Sequence, residues 1–79
     1  MTRSEIYEEL TEIFRDIFDD DELVIGDETT ADDIEDWDSL EQINLLVAIE
    51  KKFNIKIRLG DVSGLENVGR MVDLIERLI

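Results

Sequence analysis

The chain contains no cysteine, no histidine and no proline, and only 4 glycines among its 79 residues. Without cysteine there is no disulfide, no thiolate metal site and no nucleophilic thiol, and without histidine the commonest general base is missing. With no proline and few glycines, the chain carries no flexible linker of its own. Basic residues are scarce as well, 8 against 22 acidic ones, for a net charge of −14. No apolar run approaches the roughly 20 residues of a membrane span, and the amino terminus lacks the basic-then-apolar order of an export signal. The expectation is therefore a single domain over residues 1–79, cytoplasmic and monomeric, with one modest core and no room for an active site enclosed between two lobes.

The acidity is unevenly placed. Residues 1–38 hold 16 acidic and 2 basic side chains, whereas residues 39–79 hold 6 of each. Such a field repels nucleic-acid phosphates and anionic lipid surfaces, and it steers basic protein patches toward the chain. The partner it favours is a positively charged protein surface rather than nucleic acid or membrane. The plain alternative is that the charge only keeps a small domain soluble.

Thr2-Arg3-Ser4-Glu5 has the form of a capping box, and Ile6, Leu10, Ile13, Phe14 and Ile17 follow on one stripe, which predicts a helix from about Arg3 to Phe18. The run Asp19 to Glu22 ends that pattern. Residues 19–38 then carry 11 acidic side chains and no basic one, and read as a long loop pinned to the core by Val24, Ile25 and Ile34. A second helix is predicted from Ser39 to about Phe53, with Ile43, Leu46, Ile49 and Phe53 inward and Asn54 in the left-handed position after its end. Leu40 and Val47 fall on a displaced stripe with Asn44 and Lys51, either as apolar contacts left for a partner or as the margin of the core. Leu59 to Ser63 suit one short helical turn, and Asn67 caps a last helix in which Val68, Met71, Val72, Ile75, Leu78 and Ile79 repeat at helical spacing. Ile55-Lys56-Ile57 alternates like a strand but has no partner strand, so it reads as an extended linker. The architecture expected is all-α, with three main helices, one short helix and a long loop between the first two main ones.

The junction at Asp38-Ser39 is where chemistry is most plausible. Glu41 stands three residues after Asp38 and Gln42 three after Ser39, so a capping box can form in either register, and the plain alternative is that Ser39 merely caps the helix. As a hydrolytic nucleophile it lacks both a histidine and the flanking glycines of a nucleophile elbow. Calcium loops of the EF-hand kind fail at every glycine: Gly26 would place Leu23 and Ile25 at ligand positions, and Gly60, Gly64 and Gly69 would begin the loop at Ile55, Leu59 and Gly64. No catalytic residue and no defined metal site is expected, although a loose cation site in the acidic loop stays open. What an exposed hydroxyl at a helix start can do is accept a covalent group. Asp38, a hard oxygen ligand beside it, can help position magnesium while the group is transferred.

These residues carry a resemblance to the acyl carrier proteins that covers essentially the whole chain. Asp38-Ser39-Leu40 resembles the family's Asp-Ser-Leu attachment motif, Leu45-Leu46-Val47-Ala48-Ile49-Glu50 followed by Phe53 resembles the helix after it, and Asn67-Val68 is similar to the start of the last helix. The tripeptide alone is common, but helix order, length and acidity make the combination specific. The resemblance implies a four-helix bundle of acyl-carrier type. It also implies that Ser39 receives 4′-phosphopantetheine from coenzyme A through a phosphopantetheinyl transferase, and that the arm's thiol carries an acyl or aminoacyl thioester. The cofactor then supplies the sulfur the chain lacks, and the protein is a carrier and not an enzyme. Its implied partners are acyl-activating, acyl-transferring and condensing enzymes with basic docking surfaces, met by Glu41 and Glu50 through charge and by Leu40 and Val47 through apolar contact.

Two departures bear on the pathway. Members serving fatty acid synthesis commonly have a glycine and a small or apolar residue where this chain has Asp36-Trp37, and acidic residues where it has Asn44, Lys51 and Lys52. A specialised free-standing carrier for polyketide, modified lipid or aminoacyl chemistry fits better than the housekeeping fatty acid carrier. The alternatives are an aminoacyl or peptidyl carrier of the same fold, an acidic helical adaptor that binds a basic protein without any cofactor, and, below both, a cation-binding domain.

Overall fold

In a computed structural model describing residues 1–79, every helix is started by a residue whose side chain or backbone has a definite task there. Helix α1 (Arg3–Ile17) opens on the expected capping box: Thr2 Oγ1 accepts from Glu5 N at 3.2 Å and Glu5 Oε1 accepts from Thr2 N at 2.8 Å. It stops without a glycine. Asp19 takes the left-handed conformation instead (φ 50°), and Asp20 N reaches back to Arg15 O at 3.1 Å. Helix α2 (Ser39–Phe53) ends on Asn54 at φ 53°, and α3 (Leu59–Val62) is a single short turn. Asn67 Oδ1 accepts Arg70 N at 2.8 Å to start α4 (Val68–Leu78). The chain is an all-α four-helix bundle without strands, as expected, in which α1 packs against both α2 and α4.

One core joins them. Ile6, Leu10, Ile13 and Phe14 of α1 meet Leu45 and Ile49 of α2, Val68, Met71, Val72 and Ile75 of α4, and Ile25 and Ile34 from the loop. The loop between α1 and α2 is thus pinned by Ile25 and Ile34 but not by Val24, which is 77 % exposed, and it contains a 3-10 turn at Ala31–Asp33 that the sequence pattern does not announce. Helix α2 is rotated from its expected phase: Leu45 is fully buried, and Ile43 is 59 % exposed. At 100° per residue Ile43 lies on the side of Leu40 and Val47, so those three form one outward stripe. In α4, Leu74 joins the buried face, while Ile79 at the end is exposed.

The loop is also tied to α4 through its backbone. The first N–H groups of a helix have no partner inside it, and here Val68 N donates to Thr29 O at 2.8 Å and Gly69 N to Asp27 O at 3.0 Å. That approach requires a glycine, because a Cβ at position 69 would stand 2.8 Å from Asp27 O, a backbone atom that cannot swing aside. Gly69→Ala is accordingly expected to destabilise the protein by about 1–3 kcal/mol, the usual cost of overpacking. Gly60→Ala, with nothing within 4 Å of the added Cβ, should be neutral or mildly stabilising. Urea midpoints measure both, and a Gly69→Ala midpoint equal to wild type would refute the constraint.

Ion pairs close the remaining seams. Arg3 contacts Asp27 and Asp73 at 2.8 Å each and also Glu76, joining α1, the loop and α4, while Lys52 Nζ lies 2.8 Å from Glu9 Oε2 as a charge contact without aligned hydrogen-bond geometry. Tyr7 donates its hydroxyl to Asp27 beside Arg3. Partial burial, then the hydrogen bond to Asp27, push the Tyr7 hydroxyl up to about 12, whereas the Tyr7 and Arg3 hydrogen bonds hold the Asp27 carboxyl below its ordinary range. A phenol whose folded pKa is raised contributes stability that is whole below its unfolded value near 10 and is lost as pH climbs through about 12. Melting temperature is therefore expected to fall between those two pH values in the wild type and to fall less steeply in Tyr7→Phe; parallel curves would remove Tyr7 from the account.

Candidate functional site

The loop delivers its last residues to the start of α2 through a fixed aromatic. Trp37 N donates to Ile34 O at 3.1 Å, and the Trp37 ring meets Phe14 edge-on, centroids 5.3 Å apart at 81°, and Phe18 at 6.1 Å. With Trp37 held, Asp38 follows in extended backbone (φ −112°) as the N-cap: its Oδ1 accepts Glu41 N at 2.9 Å, and its carbonyl takes the first helical bond, from Gln42 N, at 2.9 Å. The choice between the two capping registers is thus made for Asp38. Ser39 is the first residue of the helix, exposed, and its hydroxyl has no part in the cap.

Beside Ser39 runs a groove of about 480 Å³, walled by Trp37, Ser39, Gln42, Val62, Leu65 and Glu66. The indole N–H of Trp37 donates to Gln42 Oε1 at 2.7 Å and binds the two walls of the α2 start together. A wider depression of about 800 Å³ along α1, bordered by Arg3, Tyr7, Arg15 and Asp27, contains none of the candidate residues.

Of the residues singled out for a partner, Leu40 (65 % exposed) and Val47 (44 %) stand outward with Ile43 between them. The two carboxylates do not face out freely. Glu41 is half-buried and accepts Asn44 Nδ2 at 2.7 Å. Glu50, also half-buried, accepts the backbone N–H of Ile57 at 2.9 Å and so holds the linker after α2 in position. Sequence reasoning missed Gln42, Val62 and Leu65 as groove walls, because contacts between one helix start and a distant turn leave no periodic signal.

The arrangement offers an exposed hydroxyl at a helix start, next to the capping carboxylate of Asp38, in a chain with no histidine to activate it. That suits an acceptor in a transfer catalysed by another protein, and a groove with apolar walls alongside gives a tethered group somewhere to lie. The family model described as the phosphopantetheine attachment site matches residues 8–75. The chain is 34 % identical over 77 residues to an acyl carrier protein of Petrotoga mobilis, covering 95 % of this chain and 88 % of that one. It superposes on the solution NMR structure of the holo acyl carrier protein from Geobacter metallireducens with a TM-score of 0.85 and 46 % identity, over 90 % of this chain and 82 % of the other. A match over most of the chain by family, sequence and structure leads to one conclusion: this protein belongs to the acyl carrier proteins, the family that carries a covalently attached 4′-phosphopantetheine.

Proposed function

We propose that Ser39 Oγ is the attachment atom, and that the protein presents acyl or aminoacyl intermediates to the enzymes of a dedicated biosynthetic pathway without catalysing any step itself. The observation that carries this reading is the exposed Ser39 hydroxyl directly after a cap supplied by Asp38. In the transfer, Ser39 Oγ forms a bond to the phosphorus of coenzyme A that bears the pantetheine. The bond from that phosphorus to the bridging oxygen breaks, adenosine 3′,5′-bisphosphate leaves, and the hydroxyl proton passes to a base of the transferase. Asp38 Oδ1 keeps its cap throughout, and its second oxygen, outside that hydrogen bond, is available to the transferase's magnesium. Once attached, the arm supplies the thiol on which cargo is held as a thioester.

The partner face is the outward stripe Leu40, Ile43 and Val47, with Asp36 and Asp38 at its amino-terminal end and exposed Lys51 at the other. A surface acidic at one end and basic at the other suits enzymes unlike those that read a uniformly acidic helix, which favours polyketide, modified lipid or aminoacyl chemistry over housekeeping fatty acid synthesis. The test is incubation with coenzyme A, magnesium and a broad-specificity phosphopantetheinyl transferase. Intact mass should rise by one phosphopantetheine unit, and fragmentation should place it on Ser39. No gain with several competent transferases, or a gain on Ser4 or Ser63, would sink the proposal.

A further inference from the structure

A shallow groove of about 340 Å³ runs between the α3 turn and α4, and there the charge of this acidic chain turns locally positive. Gly60 and Gly64 bring no side chain to it, Leu65 and the buried Leu74 are its apolar part, and Arg70 and Arg77, two helical turns apart on one face of α4, line it together. The carboxylates around it are already engaged. Asp61 holds Arg77 at 2.7 Å and accepts the Arg58 backbone N–H at 3.2 Å, Asp73 and Glu76 are drawn to Arg3, and Glu66 borders the groove beside Ser39 instead. Arg70 is left over: only its backbone N–H is used, by Asn67, and its exposed guanidinium meets no carboxylate. Arg58, exposed at the start of α3, is in the same state. Directly after it stands Leu59, at 91 % exposure the most exposed large apolar side chain of the protein. A lone exposed leucine is ordinary, but this one adjoins unbalanced guanidinium groups and a groove.

We infer that this face docks an acidic segment of a partner protein, with a carboxylate of that segment held by Arg70 beside Arg77 and an apolar side chain of it set against Leu59. The sign is opposite to that of the basic surfaces drawn to the first half of the chain, so this is a second contact of different chemistry. A guanidinium offers a fork of N–H donors that matches a carboxylate in two parallel hydrogen bonds, and all the side-chain donors of Arg70 are unused within the chain. A flat anionic bilayer fits less well. It would have to accept a molecule of net charge −14 and only 27 × 24 × 22 Å in extent, whereas a segment that enters the groove meets the local charge, the rest being screened within about a Debye length. The groove shares Leu65 with the one beside Ser39, so a segment seated here adjoins that site without occupying it. None of this depends on Ser39 being the attachment atom.

A synthetic peptide of leucine, aspartate and glutamate, titrated into the intact isotope-labelled protein, tests this through backbone amide and arginine side-chain chemical shifts. Shifts are expected at Gly60, Gly64 and the Arg70 Nε–H, and they should weaken several-fold with salt as the Debye length shrinks from about 10 Å at 0.1 M to about 3 Å at 1 M. Arg70→Glu, which turns attraction into repulsion, should weaken binding by about tenfold, and Arg70→Gln by less. Leu59→Ser should weaken it several-fold. Both positions are exposed, so melting temperatures of the variants should stay near wild type and separate lost binding from lost fold. The same peptide with lysines in place of its acidic residues should leave the groove unshifted and move amides of α1 and the loop after it. No shift at the groove with the acidic peptide, an affinity unchanged in Arg70→Glu, or equal shifts there with the lysine peptide would overturn the inference. Binding of phosphatidylglycerol vesicles through Arg70 and Leu59 without binding of the peptide would overturn it in favour of a lipid surface. The titration uses unloaded protein, so its outcome and that of the loading experiment are independent.

Discussion

Ser39→Ala is expected to abolish phosphopantetheine loading completely, with no mass gain under conditions that convert the wild type, and to leave stability within about 0.5 kcal/mol of it. The second half of that expectation follows from the cap. Had Ser39 been the N-cap, alanine would cost about 1 kcal/mol, and a lost function would be confounded with a loosened helix. Asp38 makes the capping bond to Glu41 N, however, and Ser39 is an exposed first-turn residue at which alanine is a good helix former. Controls are at hand in the other two serines: Ser4 is exposed on α1, and Ser63 lends its hydroxyl to Gly60 O at 3.2 Å. Ser4→Ala and Ser63→Ala should load fully. Intact mass together with thermal melting of the three variants decides the matter, and residual loading of Ser39→Ala would disqualify that hydroxyl.

What could be read from the sequence was what is decided locally. Thr2 with Glu5, Asn54 and Asn67 each act within one helical turn of themselves, so their roles as box, left-handed end and cap follow from residue type and spacing. The strongly one-sided α1 and α4 also announced most of their buried faces. Helix α2 did not, because it is apolar around much of its circumference: Leu40, Ile43 and Val47 on one side, Leu45 and Ile49 on the other. Periodicity then leaves the phase open, and only α1 and α4, which bury the Leu45 side, settle it. The same holds for the site. Asp38-Ser39 was legible as a motif, whereas the Trp37–Gln42 bond, the Glu50 bond to Ile57 N and the closure of Gly69 on Asp27 depend on where the loop and linker pack.

The charge pattern needs the structure in a similar way. A net charge of −14 suggests a uniformly acidic surface, yet three of the 8 basic side chains are placed where they join elements. Arg3 serves three carboxylates, Lys52 faces Glu9, and Arg77 pairs with Asp61 at 2.7 Å. Exposed pairs of this kind add little stability one by one. Their effect is to reduce repulsion between segments that would otherwise be of one sign, so that Lys51, beyond those pairs, is left to mark the carboxyl-terminal end of the outward stripe.

Phe14→Ala is expected to be the most destabilising single truncation near the site, at about 3–5 kcal/mol. Phe14 is fully buried, with its ring centroid 5.8 Å from Phe18 and 5.3 Å from Trp37. Domains of this size are stable by only about 4–12 kcal/mol, so the loss consumes a large part of the total. At about 4–8 °C per kcal/mol for so small a domain, the melting temperature should drop by on the order of 20 °C. The consequence reaches the site because Phe14 is the edge-on support of Trp37, and Trp37 in turn fixes both the approach to Asp38 and the Gln42 amide. The single tryptophan should accordingly report a looser environment, by red-shifted and more quenchable fluorescence, at temperatures where Phe14→Ala is still helical. Phe18→Ala, removing a half-buried ring from the same cluster, should cost distinctly less. If Phe14→Ala melted within a few degrees of Phe18→Ala, Phe14 would not be what holds the loop against α1, and the rigidity assigned to the start of α2 would need another source.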